Sequence, residues 1–238
     1  YIATYVDDLC IVMKDPKSLI VILEGPKHKF TLQGTGPLNF HLSCGFVRDS
    51  TGTLCMNAGK YVKKMEESYK QIFKCSPPHS NVLSPLMKGD HPELDTSAFL
   101  NDDNVQIYQS LVGSMQWAVT IERFDIQCAV MTLSRFCVMP RRGHLEQAQR
   151  VYGYLVKFKD FMIRFRTDEP NFEGLEVKKY DWSNTPYGNP SEEIPKDAPT
   201  PLGKRVVLTH YYDANLMHDV LSGKAVTGCL HFYNKTPI

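Results

Sequence analysis

The sequence predicts an α+β chain. Three observations predict it: an apolar hairpin pattern at 2–13, a second at 38–57, and a run of amphipathic helical stripes between 58 and 158. Strand-like segments return after 205. With 238 residues, 42% hydrophobic and 22% charged, the chain has the composition of a globular protein able to bury a real core. The net charge of +1 gives no global argument for a nucleic-acid or membrane partner.

The first element is Ile2-Ala3-Thr4-Tyr5-Val6-Asp7-Asp8-Leu9-Cys10-Ile11-Val12-Met13. Two apolar flanks surround one adjacent pair of carboxylates. In a straight strand Asp7 and Asp8 would point to opposite faces. At a tight turn the alternation breaks and both can reach one side. Hard cations such as Mg²⁺ take one or two carboxylates plus substrate phosphates. Such a pair can serve phosphoryl transfer. Ordinary turn chemistry is the competing explanation of an Asp-Asp at this place.

Residues 16–33 suggest a helix with Leu19, Ile20, Leu23, Lys27 and Phe30 on one face, interrupted at Gly25-Pro26. In 38–57, alternation at Leu38–Cys44 and a turn at Asp49-Ser50-Thr51-Gly52 predict the second hairpin. Residues 58–74 predict a helix with Tyr61, Val62, Met65, Tyr69, Ile72 and Phe73 inward. Its lysines, Lys63 and Lys64 among them, read as a solvated face or as phosphate contacts. Residues 75–104 are rich in Pro and Ser, then acidic, and predict a linker with no packed core.

Three helices follow in the pattern. Their stripes are Tyr108, Leu111, Met115 and Ala118; then Ile126, Ala129, Val130, Leu133 and Cys137; then Leu145, Ala148, Tyr152 and Leu155. Short connections favour a bundle. From Arg135 to Arg166 eight Lys/Arg face two acids, and Arg142, Arg150 and Lys157 lie on the side away from the last stripe. A stripe of this kind can follow a phosphate backbone. Surface charge without a partner is the competitor. Residues 167–204 form an acidic linker, and 205–215 and 228–233 predict two strands that need more chain to pack on.

Seven cysteines without a C-x-x-C suggest free thiols in a reducing compartment. No signal peptide and no apolar run of membrane-spanning length are visible, so a membrane partner and secretion are not expected. The chain opens on Tyr1 inside a strand-like run, which suggests an internal piece of a longer protein.

The order of these segments resembles one family. Tyr5-Val6-Asp7-Asp8-Leu9, Tyr108-Gln109-Ser110-Leu111-Val112-Gly113, Arg123-Phe124-Asp125-Ile126, Leu133-Ser134-Arg135-Phe136, Gly143-His144-Leu145 with Arg150-Val151-Tyr152-Gly153-Tyr154-Leu155, and Tyr212-Asp213-Ala214 with Ser222–Gly228 follow one another. The chain resembles the C-terminal part of a copia-type retrotransposon reverse transcriptase, running into the start of its RNase H domain. The departures are Phe124 for a usual Pro, Ala225 where Ser is common, and His218-Asp219 in a stretch often rich in Trp or Gly.

The resemblance implies a partial polymerase palm with its primer-grip hairpin at 1–57. It implies a helical thumb/connection region at 58–166 with the linker at 75–104. It implies the acidic linker at 167–204 and a truncated RNase H-like domain at 205–238. Asp7 and Asp8 become catalytic metal ligands for two Mg²⁺, with Mn²⁺ as a substitute. Tyr5 and Val6 fall near primer and nucleotide, and Asp213 becomes the first RNase H metal ligand. The implied partners are an RNA or DNA template with primer, a dNTP, and the rest of the polyprotein. The implied activity is RNA-directed DNA synthesis, expected to be lost in the fragment alone because the fingers and a third acid would lie upstream. A non-catalytic nucleic-acid-binding relic is the alternative. The expected location is the cytoplasm, in a virus-like particle, or the nucleus.

Overall fold

Ile2–Tyr5 (β1) and Asp8–Ile11 (β2) pair antiparallel with Tyr5 opposite Asp8, which leaves Val6 and Asp7 as a two-residue turn. Val6 takes φ 53. A two-residue hairpin needs such a left-handed position, but a β-branched residue adopts it only under strain. The protein is seen in a computed structural model, which describes residues 1–15, 17–18, 36–87, 89, 91–174, 181–186, 188, 193–201 and 203–238. The helix expected over 16–33 falls almost wholly outside the described residues. By contact density the chain forms two units, Tyr1–Phe165 with Ala214–Val226, and Arg166–Asp213 with Thr227–Ile238. Residues 214–226 thus cluster with the first unit rather than with the rest of 205–238.

In the first unit the second sheet has the order β3-β4-β5-β6. Its strands are Phe40–His41 (β3), Cys44–Arg48 (β4), Leu54–Asn57 (β5) and Ile163–Arg164 (β6). Leu42 and Ser43, expected inside one alternating strand, instead turn β3 into β4 with φ 48 and 67. The β4–β5 turn is built on Asp49. Its Oδ1 accepts from the Thr51 hydroxyl at 2.6 Å and from the Thr51 and Thr53 amides at 2.9 and 3.0 Å. The Thr51 hydroxyl above all holds the Asp49 carboxyl below its ordinary pKa. The two-residue β6 gives no periodicity to read, and the sequence left it inside the helical region.

Four helices follow: Gly59–Phe73 (α1), Asp102–Ile121 (α2), Gln127–Ser134 (α3) and Arg142–Lys157 (α4). Helix α1 buries Val62, Met65 and Tyr69, spaced for one face, and ends at Lys74 in the left-handed region. Ile72 does not join that face; it is 39% exposed. Helix α2 starts on Asn101, whose side chain accepts from the Asn104 amide at 3.1 Å, and carries Asp102 and Asp103 in its first turn. The stripes of α2, α3 and α4 meet in one core with α1, centred on Tyr108, Leu111, Met115, Ile126, Leu133, Val151 and Leu155. The buried Tyr108 hydroxyl donates to the Leu133 carbonyl at 2.7 Å, so its polar end is satisfied.

The segment expected to be a bare linker is a packed strap. Pro77 is among the fully buried side chains, Val82 and Pro92 are buried, and Leu86 and Leu100 lie against the core. Small residues on α4 make room for it. A Cβ on Gly153 would sit 1.9 Å from the Pro78 carbonyl oxygen, and one on Gly143 would sit 2.2 Å from an Asp95 carboxylate oxygen. His144 locks the strap to the helix start. Its Nδ1 accepts from the Arg141 amide at 3.0 Å, which leaves Nε2–H to donate to the Pro92 carbonyl at 2.8 Å. Pro and Ser content signals irregular backbone, not exposed backbone; the apolar residues spaced through the strap do the packing.

The connection Ala214–Val226 is held within the first unit. The Val220 amide donates to Glu93 at 3.2 Å, and buried Asp219 pairs with Arg135 while accepting from the Leu221 and Ser222 amides.

The second unit contains most of a three-stranded sheet of order β7-β8-β9: Leu208–Asn215 (β7), Val226–Tyr233 (β8) and Thr236–Pro237 (β9). Asn234 turns β8 into β9 at φ 53 and is buried. Its side chain accepts from the Val207 amide and donates to the Thr167 carbonyl, each at 2.9 Å. The Asn234-Lys235-Thr236 segment is therefore a structural corner of this sheet.

Candidate metal and nucleic-acid sites

The two acids of the first hairpin occupy different places on one turn. Asp7 is the second turn residue, and Asp8 is the first residue of β2. Both are exposed, and among the described residues neither carboxylate takes part in a hydrogen bond or ion pair. Two unpaired carboxylates on a constrained turn are donor chemistry that suits a hard divalent cation. No group of three or more metal-ligating side chains exists among the described residues, so the pair stands without a third acid. Beside the turn, an apolar groove of about 370 Å³ runs between Tyr5, the His41, Leu42 and Phe46 side of the second sheet, and Trp117 of α2. Asp213 lies exposed on β7 in the second unit and belongs to no group of three metal-ligating side chains among the described residues.

The basic residues part into two groups. Lys63 and Lys64 are exposed on α1 and hold no partner among the described residues, while neighbouring Lys60 lies over the Phe40 ring at 4.4 Å. The residues from 135 to 166 are largely committed to the fold. Arg141 stacks on Phe99 at 3.8 Å and donates to the Ser97 carbonyl. Arg164 pairs with Asp49 at 3.4 Å, and Arg135 pairs with Asp219. Lys157 donates to the Ser80 carbonyl at 3.4 Å, and the Arg150 Nε is buried without a hydrogen bond. Of the expected α4 stripe, Arg142 is open, its side chain 76% exposed in a loose pair with Glu146, and Lys157 is exposed, while Arg150 is half-buried. Gly153 of α4 is buried under the strap. The α4 stripe is interrupted where the strap crosses it.

One buried cluster of charged residues carries no periodic signal in the sequence. Arg123 is fully buried and grips Asp125 bidentately at 2.9 and 2.7 Å, with the Tyr154 and Phe161 rings nearby. Glu122 beside it is 3% exposed, and neither carboxylate oxygen has a hydrogen-bond partner. Burial pushes its pKa up to about 8, with Arg123 pulling the other way. The Ala58 and Ile163 amides also favour the charged form, though they fall short of full hydrogen-bond geometry. Burial likewise raises the Cys44 thiol to about 11, with Glu122 adding to it, so this cysteine is an inert part of the wall. A charged triplet at a helix end reads as surface from sequence, and only the packing of β5, β6 and α1 around it shows otherwise.

Comparison with known proteins places this geometry in context. No protein-family model and no solved structure matches the chain. Among curated proteins it is similar to a transposon Ty5-1 protein of Saccharomyces cerevisiae, 29% identical over 168 residues, or 70% of this chain and 52% of that protein. It is 31% identical over 173 residues to the retrovirus-related Pol polyprotein from transposon TNT 1-94 of Nicotiana tabacum, covering 71% of this chain and 13% of the polyprotein. It is 29% identical over 155 residues to the corresponding polyprotein from transposon RE1 of Arabidopsis thaliana, covering 65% and 10%. The chain spans about half the length of the yeast relative and about a tenth of the plant polyproteins. These similarities support a retroelement polyprotein origin.

Proposed function

We propose that the chain is part of a retrotransposon RNA-directed DNA polymerase that extends a primer 3′-hydroxyl by nucleotidyl transfer. The observation that carries this reading is the pair of unpaired, adjacent carboxylates at the strained Val6-Asp7 turn. Strain held in a turn that presents functional side chains is a common feature of working sites. Asp7 and Asp8 would hold Mg²⁺, or Mn²⁺ in its place. Bound there, the cation would neutralise charge on the primer 3′-oxygen that attacks the dNTP α-phosphate and on the oxygen that leaves with pyrophosphate. Tyr5 and Val6 border the space that primer and nucleotide would occupy. Lys63 and Lys64 would hold template–primer phosphates. Asp213 would serve a separate hydrolytic RNase H site in the second unit.

The test is primer extension by a Pol polypeptide that contains this chain and extends extension-competent primers. Asp7→Asn and Asp8→Asn should each reduce extension at least a hundredfold while duplex affinity changes little. Extension that survives the double substitution overturns the polymerase reading. Among the described residues the turn has two acids and no third metal ligand, and we expect no extension from the 238-residue chain without one.

A second reading, a non-catalytic nucleic-acid-binding relic, is favoured by one observation: Lys63 and Lys64 are exposed and unpaired among the described residues. Duplex binding by the chain, with no extension from the longer polypeptide although its Asp7 and Asp8 are intact, would select it.

A further inference from the structure

The second unit holds a cluster that the polymerase reading does not use. His210 on β7 and His231 on β8 turn their Nδ1 atoms towards each other at 2.5 Å. The rings meet edge-to-face with centroids 4.7 Å apart, and the Tyr212 ring lies 6.0 Å from His231. His210 is exposed and His231 is half-buried, so solvent reaches the pair. An N–H···N hydrogen bond between neutral imidazoles would settle near 2.9 Å, by analogy with N–H donors generally. The observed separation is tighter.

Two imidazole nitrogens facing one point from adjacent strands are the donor set of a borderline transition metal. With metal–nitrogen bonds of about 2.0 Å, two cis ligands at a right angle stand about 2.8 Å apart, and two at a tetrahedral angle about 3.3 Å apart. The right-angle arrangement needs the smaller opening of the pair, and side-chain rotation on an exposed sheet face supplies it. Square-planar coordination by nitrogen and oxygen is the preference of Cu²⁺, which also heads the general affinity order for divalent first-row metals. The backbone of the pair is held from one side. Asn234, three residues beyond His231, bonds Val207 and Thr167, and the Ile238 amide donates to the His231 carbonyl at 3.0 Å.

We propose that His210 and His231 form a two-histidine site for a divalent transition metal, with Cu²⁺ preferred over Zn²⁺ and water completing the coordination. The site is independent of Asp7 and Asp8 and requires a soft-to-borderline cation rather than Mg²⁺.

The 238-residue chain is titrated with Cu²⁺, then with Zn²⁺, and binding is followed by calorimetry and by nitrogen hyperfine splitting of the Cu²⁺ spectrum. One Cu²⁺ with two nitrogen ligands is expected, and His210→Gln or His231→Gln should each weaken it at least tenfold. His218→Gln, three residues beyond Asn215 on the same connection, should leave it unchanged. Circular dichroism checks that each variant folds. A second measurement needs no variant: Zn²⁺ should protect His210 and His231 of the native chain from carbethoxylation, read residue by residue by mass spectrometry, while His218 stays reactive. Cu²⁺ affinity unchanged from the native chain in both Gln variants, or equal carbethoxylation with and without Zn²⁺, overturns the proposal.

Discussion

Glu122 shows how one residue can set the response of the whole chain to pH. Its carboxyl is buried without a hydrogen bond, and burial holds its pKa near 8 against 4.5 for an exposed glutamate. The folded chain therefore keeps a proton that the unfolded chain releases. Between those two values the folded state binds more protons, so stability falls as pH rises. The loss is complete above about pH 8 and amounts to on the order of 5 kcal/mol at most. Glu122→Gln keeps the shape and removes the ionisation. It should raise the melting temperature at pH 8 and flatten the decline between pH 5.5 and 8. An unchanged pH dependence of urea unfolding in this variant would show that Glu122 is ionised in the fold at no cost.

Residues were unevenly legible. The stripes Tyr108, Leu111, Met115 and Ala118, and Ile126, Ala129, Val130 and Leu133, lie in the core as their spacing predicts. The acids of Asp7-Asp8 lie at a turn because flanking β-branched residues on both sides leave the chain nowhere else to reverse. Arg123, Glu122 and Arg150 were not legible, because a charged side chain carries no periodic signal of burial. Arg135 and Arg141 belong with them: their partners Asp219 and Ser97 are 84 and 44 positions away in the chain.

At the scale of elements, the strap on α4 gives the sharpest contrast between two glycines. Gly153 faces the Pro78 carbonyl with no room for a methyl group, whereas a Cβ on Gly113 of α2 would meet nothing within 4 Å. Gly113→Ala should stabilise the chain by about 0.5–1 kcal/mol through helix propensity. Gly153→Ala gains the same propensity but must displace backbone, and should destabilise by about 1–3 kcal/mol net. Denaturant midpoints should therefore move in opposite directions. Limited proteolysis should also cut the 75–97 strap faster in Gly153→Ala alone. Equal midpoints would mean that the strap yields without cost. The core helices were readable because each repeats its own period over several residues, whereas the turn at Leu42–Ser43 was not, because alternation runs on through it. The strap was not, since it buries isolated residues, Pro77, Val82 and Pro92, at irregular spacing.

At the scale of the molecule, charge is better described by its commitments than by its density. The run from Arg135 to Arg166 looks like the most basic stretch of the sequence, yet Arg135, Arg141, Lys157 and Arg164 are engaged within the fold. Lys63 and Lys64 are not. If a duplex binds, Lys63→Ala with Lys64→Ala should lower the slope of log K against log salt by about 1.8 for B-form DNA. Arg150→Ala with Lys157→Ala should change it by much less. The reverse ranking, measured by salt titration of duplex affinity, would place the phosphates on α4.

The contact between Val220 and Glu93 spans 127 positions, and Asp219 reaches back to Arg135 in the same way. A chain made from its N-terminus at about 5–20 residues per second completes α4 well before these residues exist. The helical core can therefore assemble while the polypeptide is still being made, and the 214–226 connection arrives several seconds later onto a surface already formed. Until then the carboxylate of Glu93 and the guanidinium of Arg135 wait in water. A nascent chain stalled just past Phe165 should already resist protease across α1–α4, and release of the remaining residues should add protection only around 93, 135 and 219.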